Sequence, residues 1–403
     1  MKIRQAFKFK LAPNGAQVNQ LLRYAGACRY VYNKALALQK ANFSEGNKYI
    51  HYTEMASCLV AWKKETDLAW LKDMPSQSLQ HALKDLDKAY DNFFKKRAGF
   101  PTFRKRNHHS SFRVPQGFEV DQNNHRIRLP KLGWISYRKS RLIEGDAKNI
   151  TLSLKAGKWF ASIQTERVIE PPISKATTAI GIDVGITHFA TLDTGVHIAA
   201  PNYFKTKQLK LARYQRRMSR KKKFSQNWIK AKQKVQQIHH DIANARSDFL
   251  HKTTTTLSKN HALVCIEDLQ IVNMTKSAKG NCDKQGKNVR QKSGLNRAIL
   301  DQGWGEFRRQ LDYKQAWRGG ILLAVPPKHT SRTCPCCQHI SKDNRKTQAT
   351  FVCVACGYHN NADVVGAINI LERGHRLLAF GEKMLLGLSM NQEPAEVSQV
   401  LVA

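Results

Sequence analysis

The sequence is poor in negative charge. Only 30 aspartates and glutamates stand against 67 lysines and arginines, giving a formal net charge of +37 and a pI near 10.0. That excess is far beyond what solubility requires and is typical of chains that meet a polyanion, nucleic acid first and a membrane surface second. Long apolar runs are also missing: no stretch approaches the roughly 20 consecutive apolar residues of a spanning helix. The first ten residues lack the apolar core of a secretory signal, so the expected location is cytoplasmic and nucleoid-associated, with no membrane partner. Cysteines show no spread-out pairing. Five of the nine fall between Cys334 and Cys356, while Cys28, Cys58, Cys265 and Cys282 are scattered, which excludes a disulfide framework and points to metal. No internal repeat is present, and 403 residues suffice for several domains and a substantial core.

Residues 5–11 alternate, with Phe7, Phe9 and Leu11 on one face, and Pro13-Asn14-Gly15 ends the run as a strand followed by a turn. The next segment is mainly helical. After Pro75-Ser76, the positions Leu79, Leu83, Leu86, Tyr90, Phe93 and Phe94 step by three and four residues, the signature of one buried helix face. Short strand patterns follow at 126–129, 134–138, and a hairpin of 150–155 and 158–166 around Ala156-Gly157. Pro171-Pro172 marks a boundary. Beyond it come strands at 179–183, 189–192 and 196–199, a long basic helical stretch, and a strand at 262–267. A polar loop at 276–293 is suited to a mobile lid or a linker; then come a helix carrying Trp304, Phe307 and Leu311, a strand at 321–325, the cysteine module and a helix opening at Asp363.

Three strands followed by alternating helices and strands is the order of a ribonuclease-H-like α/β fold. The expected organisation is therefore multidomain, α+β and then α/β. A small β-barrel (1–15 and 99–172) is interrupted by a helical lobe (16–98), and a ribonuclease-H-like domain (178–327 and 358–374) carries an inserted metal module (328–357). Residues 375–403 are expected to form a weakly patterned, disordered tail.

The strongest motif is Cys334-x2-Cys337, fifteen intervening residues, and Cys353-x2-Cys356. Two residues between thiolates let a tight turn aim both sulfurs at one tetrahedral ion, and two such knuckles close a four-sulfur structural Zn²⁺ site of the zinc-ribbon type. Cys336 reads as a spectator, although a register using it stays open. Such a closed site leaves no position for chemistry, which must lie elsewhere.

Three carboxylates are candidates. Asp183 in "IGIDVGI" and Glu267 in "LVCIEDL" each end an apolar strand, and Asp363 in "NNADVVGAIN" opens a helix with Val364, Ile368 and Leu371 on its apolar face. Singly, each has an ordinary reading: a surface acid at a strand end, or an acid favoured by a helix N-terminus. Together they offer what two-metal phosphodiester cleavage needs, oxygen ligands for a pair of Mg²⁺ ions about 3.5–4 Å apart. Asp268 would point to the opposite face of the strand and is left out.

Two segments suit phosphate contact. Residues 205–234 hold thirteen lysines and arginines and no acid, with Tyr214, Phe224 and Trp228 interleaved; Arg213, Arg216, Arg217, Arg220, Lys221, Lys222 and Lys223 are its densest part. A solvated helix usually alternates signs, so an unbroken positive run reads as a phosphate track. The second segment carries Lys95, Lys96, Arg97, Arg104, Lys105 and Arg106 among Phe94, Phe100, Phe103 and Phe112, aromatics that either stack on bases or belong to the core.

The motifs "GIDVG", "RKKK", "IEDL", "TSRTCPCC…CVACG" and "NADVVGAINI", in that order, resemble the TnpB proteins of bacterial and archaeal insertion sequences, relatives of the type V CRISPR effectors. The resemblance covers most of the chain. It implies a RuvC-like nuclease domain with an Asp-Glu-Asp site at Asp183, Glu267 and Asp363, two catalytic Mg²⁺, one structural Zn²⁺, and a zinc module that helps guide a strand to the site. It implies a wedge barrel and a helical recognition lobe in the N-terminal part. The implied partners are a transposon-encoded guide RNA and double-stranded target DNA, bound by a monomer with its RNA. One departure stands out: the family often reads Asp-Arg-Asp-x-Asn-Ala-Ala around the third carboxylate, whereas this chain has Asn361-Ala362-Asp363, then Val365 and Gly366. The implied function is an RNA-guided DNA endonuclease; an unguided nuclease or transposase, and a non-cleaving RNA-guided repressor, are alternatives from the same residues.

Overall fold

The alternation around Phe7 and Phe9 becomes β1 (Lys2–Lys10), and the turn after it places Asn14 as a helix cap. Asn14 Oδ1 accepts the Gln17 amide at 2.9 Å and Gln17 Oε1 accepts the Asn14 amide at 3.1 Å, a reciprocal capping box that starts α1 (Gly15–Ser44). The computed structural model describes residues 1–106, 110–282 and 285–388. It divides into two units, Met1–Glu170 and Pro171 onward, so the boundary falls at the Pro171-Pro172 step.

In the first unit α1 is followed by α2 (Tyr52–Lys64), a 3-10 turn (Thr66–Asp73) and α3 (Ser76–Phe94). Leu79, Leu83, Leu86 and Tyr90 of α3 are buried as their spacing requires, whereas Phe94 at the helix end stays 59% exposed. The strands are β2 (Ser110–Val114), β3 (Glu119–Asp121), β4 (Arg126–Leu129), β5 (Gly133–Ser136), β6 (Asp146–Lys155) and β7 (Lys158–Val168). The strands expected to form one small barrel fall into two antiparallel sheets, β1-β7-β6-β2 and β3-β4-β5. A Leu11–Tyr137 bridge links them, flanked by the Ala12 amide on the Ser136 carbonyl and the Arg138 amide on the Lys10 carbonyl. Phe7, Phe9 and Leu11 join Phe112, Ile150, Leu152, Trp159 and Ile163 on the core face.

The second unit begins with β8 (Thr178–Val184), β9 (His188–Leu192) and β10 (His197–Ala199), followed by α4 (Tyr203–Ser219), α5 (Gln226–Asn260) and β11 (His261–Glu267). Then come α6 (Ile271–Met274), α7 (Val289–Gln302), α8 (Trp304–Ala316), β12 (Ile321–Val325), the short hairpin β13 (Thr350–Val352) and β14 (His359–Asn361), and α9 (Ala362–Leu388). Its sheet runs β10-β9-β8-β11-β12, with β8, β11 and β12 parallel and β9 and β10 antiparallel. This is the ribonuclease-H-like order expected from the sequence.

Helix α9 lies directly on β8, and glycine makes this possible. A β-carbon on Gly181 would sit 2.1 Å from the Ala367 carbonyl, and one on Gly374 would sit 2.1 Å from Cys265 Sγ. Three boundaries differ from the sequence reading. Gly303, at φ 76, breaks the predicted single helix into α7 and α8; residues 289–293 of the polar loop belong to α7; and α9 runs on through Leu388, into the segment expected to be a disordered tail. Among the described residues, no helix is long and apolar enough to cross a membrane.

Candidate functional site

Asp183 and Glu267 occupy equivalent places on neighbouring parallel strands. Ile182 of β8 pairs with Ile266 of β11, so each acid comes one residue later, at the carboxyl end of its strand. That edge is where open α/β sheets place their ligands. Asp363 is the second residue of α9, and it is not spent on capping: Asn361 Oδ1 accepts the amides of Asp363 (2.9 Å) and Val364 (3.3 Å), leaving the aspartate free to face the sheet edge. All three line one open cavity of about 320 Å³, together with His188, Thr191, Thr330, Ser331, Arg345 and Gln348.

The electrostatics follow from this crowding. Burial, then the charges of Glu267 and Asp363, push the Asp183 carboxyl up to about 8 despite the opposing Arg345. Burial also raises Glu267, against a hydrogen bond from Thr330 Oγ1 at 2.6 Å and the positive charge of Arg373. Asp183 and Glu267, whose carboxyls resist ionisation in this site, fit a bound cation, whose charge would let both ionise. Asp268 points away, as expected, and pairs with Arg308 of α8.

Several groups at the cavity carried no sequence signal of their own. Arg345, between the two cysteine knuckles, reaches Asp363 Oδ1 at 3.0 Å and the Gln348 carbonyl at 2.7 Å. The neighbouring Asn344, fully buried, fixes that loop by donating to the Arg332 and His339 carbonyls and accepting the Val354 amide. Asn369 Nδ2 donates to the Thr330 and Thr333 carbonyls (2.7 and 2.8 Å), holding Thr330 against Glu267. Arg373 donates to the Pro326 and Lys328 carbonyls. Thr330 and Asn369 lie inside the quoted motifs, but only the fold shows their partners. Gly366, where the family often has alanine, packs on Asp183: a β-carbon there would lie 2.9 Å from Oδ2. The departure thus brings α9 into close contact with this acid rather than leaving a gap.

The four cysteines converge. The sulfurs of Cys334, Cys337, Cys353 and Cys356 all lie within 4.8 Å of one another, with Cys334–Cys356 at 3.6 Å and Cys337–Cys353 at 3.5 Å. A tetrahedron with metal–sulfur bonds of about 2.3 Å has edges of about 3.8 Å, so this donor set fits zinc. Cys336 stays outside the cluster. Burial raises the Cys353 thiol, but the amides of Cys356 and Ala355 more than offset this and bring it down to about 6. Phe351 of the module is buried with Ala362 and Val365 of α9, and the Ala362 amide donates to the Ala349 carbonyl at 2.9 Å. The cysteine module is thereby fastened to the turn that presents Asp363.

Of the basic residues, Arg213, Arg216, Arg217, Arg220, Lys221, Lys222 and Lys223 are exposed along α4 and the turn to α5. Tyr214 turns partly inward to a small core with Leu211, Ile238 and Ile242, while Phe224 is 69% exposed. In the first unit Lys96, Arg97, Lys105 and Arg106 are exposed and Lys95 pairs with Asp91 at 2.8 Å. Arg104 has partners within the fold: it pairs with Asp85 at 3.2 Å, lies 3.7 Å over the Tyr32 ring, and its amide donates to Asn33 Oδ1.

Residues 162–278 match the family described as "Probable transposase", residues 304–370 the "Cas12f1-like, TNB domain", and residues 1–48 a "Helix-turn-helix domain". The last description does not match the shape of its segment, which here is one strand and one unbroken 30-residue helix. The chain is 55% identical, over 99% of both chains, to the Escherichia coli (strain K12) protein named "Putative RNA-guided DNA endonuclease InsQ". A Streptomyces pristinaespiralis protein of the same description is 33% identical over 94% of this chain and 92% of its own. A TnpB-like protein of Methanocaldococcus jannaschii is 31% identical over 39% of this chain and 65% of its own. On likeness that spans almost its whole length, together with the ordered motifs and the sheet that carries them, this protein belongs to the TnpB family.

Proposed function

We propose that this protein is an RNA-guided DNA endonuclease whose single nucleolytic site is made by Asp183, Glu267 and Asp363. The observation that carries the reading is the delivery of three acids, from β8, β11 and α9, into one cavity at the carboxyl edge of a ribonuclease-H-like sheet. The names of the relatives above agree with it.

In this reading the three carboxylates hold two Mg²⁺ ions. When bound, such a pair activates a water and stabilises the leaving 3′ oxygen of a phosphodiester. Thr330 fixes Glu267, Asn361 frees Asp363 from capping, and Gly366 lets α9 approach Asp183. Arg345 sits where it can leave Asp363 for the negative charge of a scissile phosphate. The four cysteines hold one structural Zn²⁺, which fixes the loop bearing Arg345. The first unit supplies the wedge sheets and the recognition helices that grip a guide RNA, the basic α4–α5 hairpin supplies sequence-independent phosphate contact, and base pairing supplies target choice. One monomer with its RNA then cuts double-stranded DNA.

The transposase description of the 162–278 match favours a second reading, DNA strand transfer or unguided cleavage by the same carboxylates. Purification from cells carrying the flanking DNA separates the two. The guided reading expects a defined RNA to copurify and to direct Mg²⁺-dependent cutting of a plasmid library, and alanine at Asp183, Glu267 or Asp363 to abolish cutting while RNA stays bound. Cutting with no retained RNA and no target preference would favour the second reading.

A further inference from the structure

One wall of the cavity that holds the three acids is shaped by an irregularity in β9. In a regular strand His188 would share a face with Ala190 and Leu192, and Phe189 would share one with Thr191. The structure does the reverse. Thr191 pairs with Asp183 of β8 and with His197 of β10, so these three lie in a file on one face of the sheet. The register then slips: Ile198 pairs with Ala190 but Ala199 pairs with His188, leaving Phe189 as the extra residue of a β-bulge. Phe189 turns to the opposite face and is fully buried, its ring centre 5.0 Å from those of Phe249 and Phe307. His188 turns to the face of Asp183, where it lines the cavity.

Two contacts hold it there. Its ring stacks on that of His197, with centres 4.4 Å apart and planes 27° from parallel. Thr191 Oγ1 and His197 Nδ1 lie 3.0 Å apart, a hydrogen bond that fixes the supporting ring. A ring held by its face keeps the nitrogens at its edge for another partner. Re-aiming a side chain is what bulges beside active sites do, and here the residue re-aimed is an imidazole.

The cavity has a use for such a donor. Arg345 is engaged with Asp363 at 3.0 Å. Among the described residues of β8, β9 and their turn that line the cavity, His188 is the one with a nitrogen donor in its side chain. A strand laid over the three acids brings a negative charge with every nucleotide, so the phosphates beside the scissile one need donors of their own.

We propose that His188, supported by His197, donates a hydrogen bond to a non-bridging oxygen of a phosphate next to the scissile one in the strand being cut. The inference rests on the nuclease reading above and adds to it a substrate contact on the β9 side of the cavity. Neither histidine belongs to a motif quoted above; the slip in register is what joins them to the acids.

The test uses the full chain with the RNA that copurifies with it and a duplex that it cuts. Methylphosphonate linkages, which remove the phosphate charge, are placed in turn on either side of the cut. His188→Ala should lower kcat/KM about 30-fold, with His188→Gln recovering part of the loss. In the wild type one flanking methylphosphonate should cost a similar factor, and in His188→Ala that same linkage should cost almost nothing more, as for two halves of one contact. His197→Ala should fall part of the way, and His197→Phe, which keeps a ring to stack on, should recover most of what His197→Ala loses. Unchanged melting curves establish that the variants are folded. A wild-type rate in His188→Ala would overturn the contact. So would a slower His188→Ala protein that loses the same factor as the wild type from every methylphosphonate, because its defect would then be one of shape. Absence of Mg²⁺-dependent cutting in the wild type would overturn the nuclease reading, and this contact with it.

Discussion

Asp183 is the residue on which the physical chemistry concentrates. Its folded-state value of about 8, against an ordinary 3.8, means that without a cation the fold holds a proton here that the unfolded chain has released. The stability this group contributes is therefore complete below about pH 4 and is lost as pH rises toward 8. In magnesium-free buffer the melting temperature should fall across that window, and Asp183→Asn should flatten the fall, gaining on the order of 2 kcal/mol at pH 8, seen as several degrees by calorimetry. Parallel pH profiles for the two proteins would contradict the crowding of carboxylates. Arg345 makes the complementary case. Arg345→Ala should leave the fold and RNA binding intact yet slow cleavage about 100-fold, with Arg345→Lys recovering only part of the rate because a point charge replaces a two-pronged donor. The three acids were legible in the sequence because each sits at the edge of an apolar run; Arg345 was not, since one arginine in a loop of mixed charge carries no pattern until the fold sets it 3.0 Å from Asp363.

At the level of elements, the site depends on how closely α9 lies on β8. Gly181→Ala would drive a β-carbon into the Ala367 carbonyl, so backbone must move. We expect a loss of about 3 kcal/mol or more in stability by denaturant unfolding. Cleavage should fall further than stability alone explains, because Asp183 and Asp363 ride on the two displaced elements. The cysteine module holds the first turn of the same helix, at Ala362 and Val365. If the four thiolates hold zinc, Cys353→Ser should abolish its binding by elemental analysis and, through Phe351, Ala362 and Arg345, reduce cleavage as well. One zinc per chain in the variant would refute the four-thiolate site. Strands at 126–129 and 321–325 were readable to the residue because the first alternates charged and apolar positions and the second is an apolar run between Gly319-Gly320 and Pro326-Pro327. The break between α7 and α8 was not, since the periodicity continues across Gly303 and only its left-handed backbone ends the first helix. Nor does alternation say which strands pair, which is why one expected barrel became two sheets joined at Leu11 and Tyr137.

Across the whole molecule, the net charge of +37 governs how tightly, rather than where, nucleic acid binds. The densest contribution is the α4–α5 hairpin, whose thirteen cations between 205 and 234 meet no acid within the run. Replacing Arg216, Arg217, Arg220 and Lys222 with serine should reduce the slope of log affinity against log salt by about 3 and weaken all sequences alike. A change confined to one target sequence would assign these residues to base reading instead. Composition made the class of partner legible at once. The division into two units falls at the Pro171-Pro172 step that the sequence marks as a boundary.

The most direct measurement of the central claim is anomalous diffraction from crystals of this protein soaked in Mn²⁺, a magnesium surrogate that can be located unambiguously. Density for divalent ions bridging the carboxylates of Asp183, Glu267 and Asp363, and lost in Asp183→Ala, is the predicted result. Ions bound elsewhere, with these three side chains unligated, would contradict it.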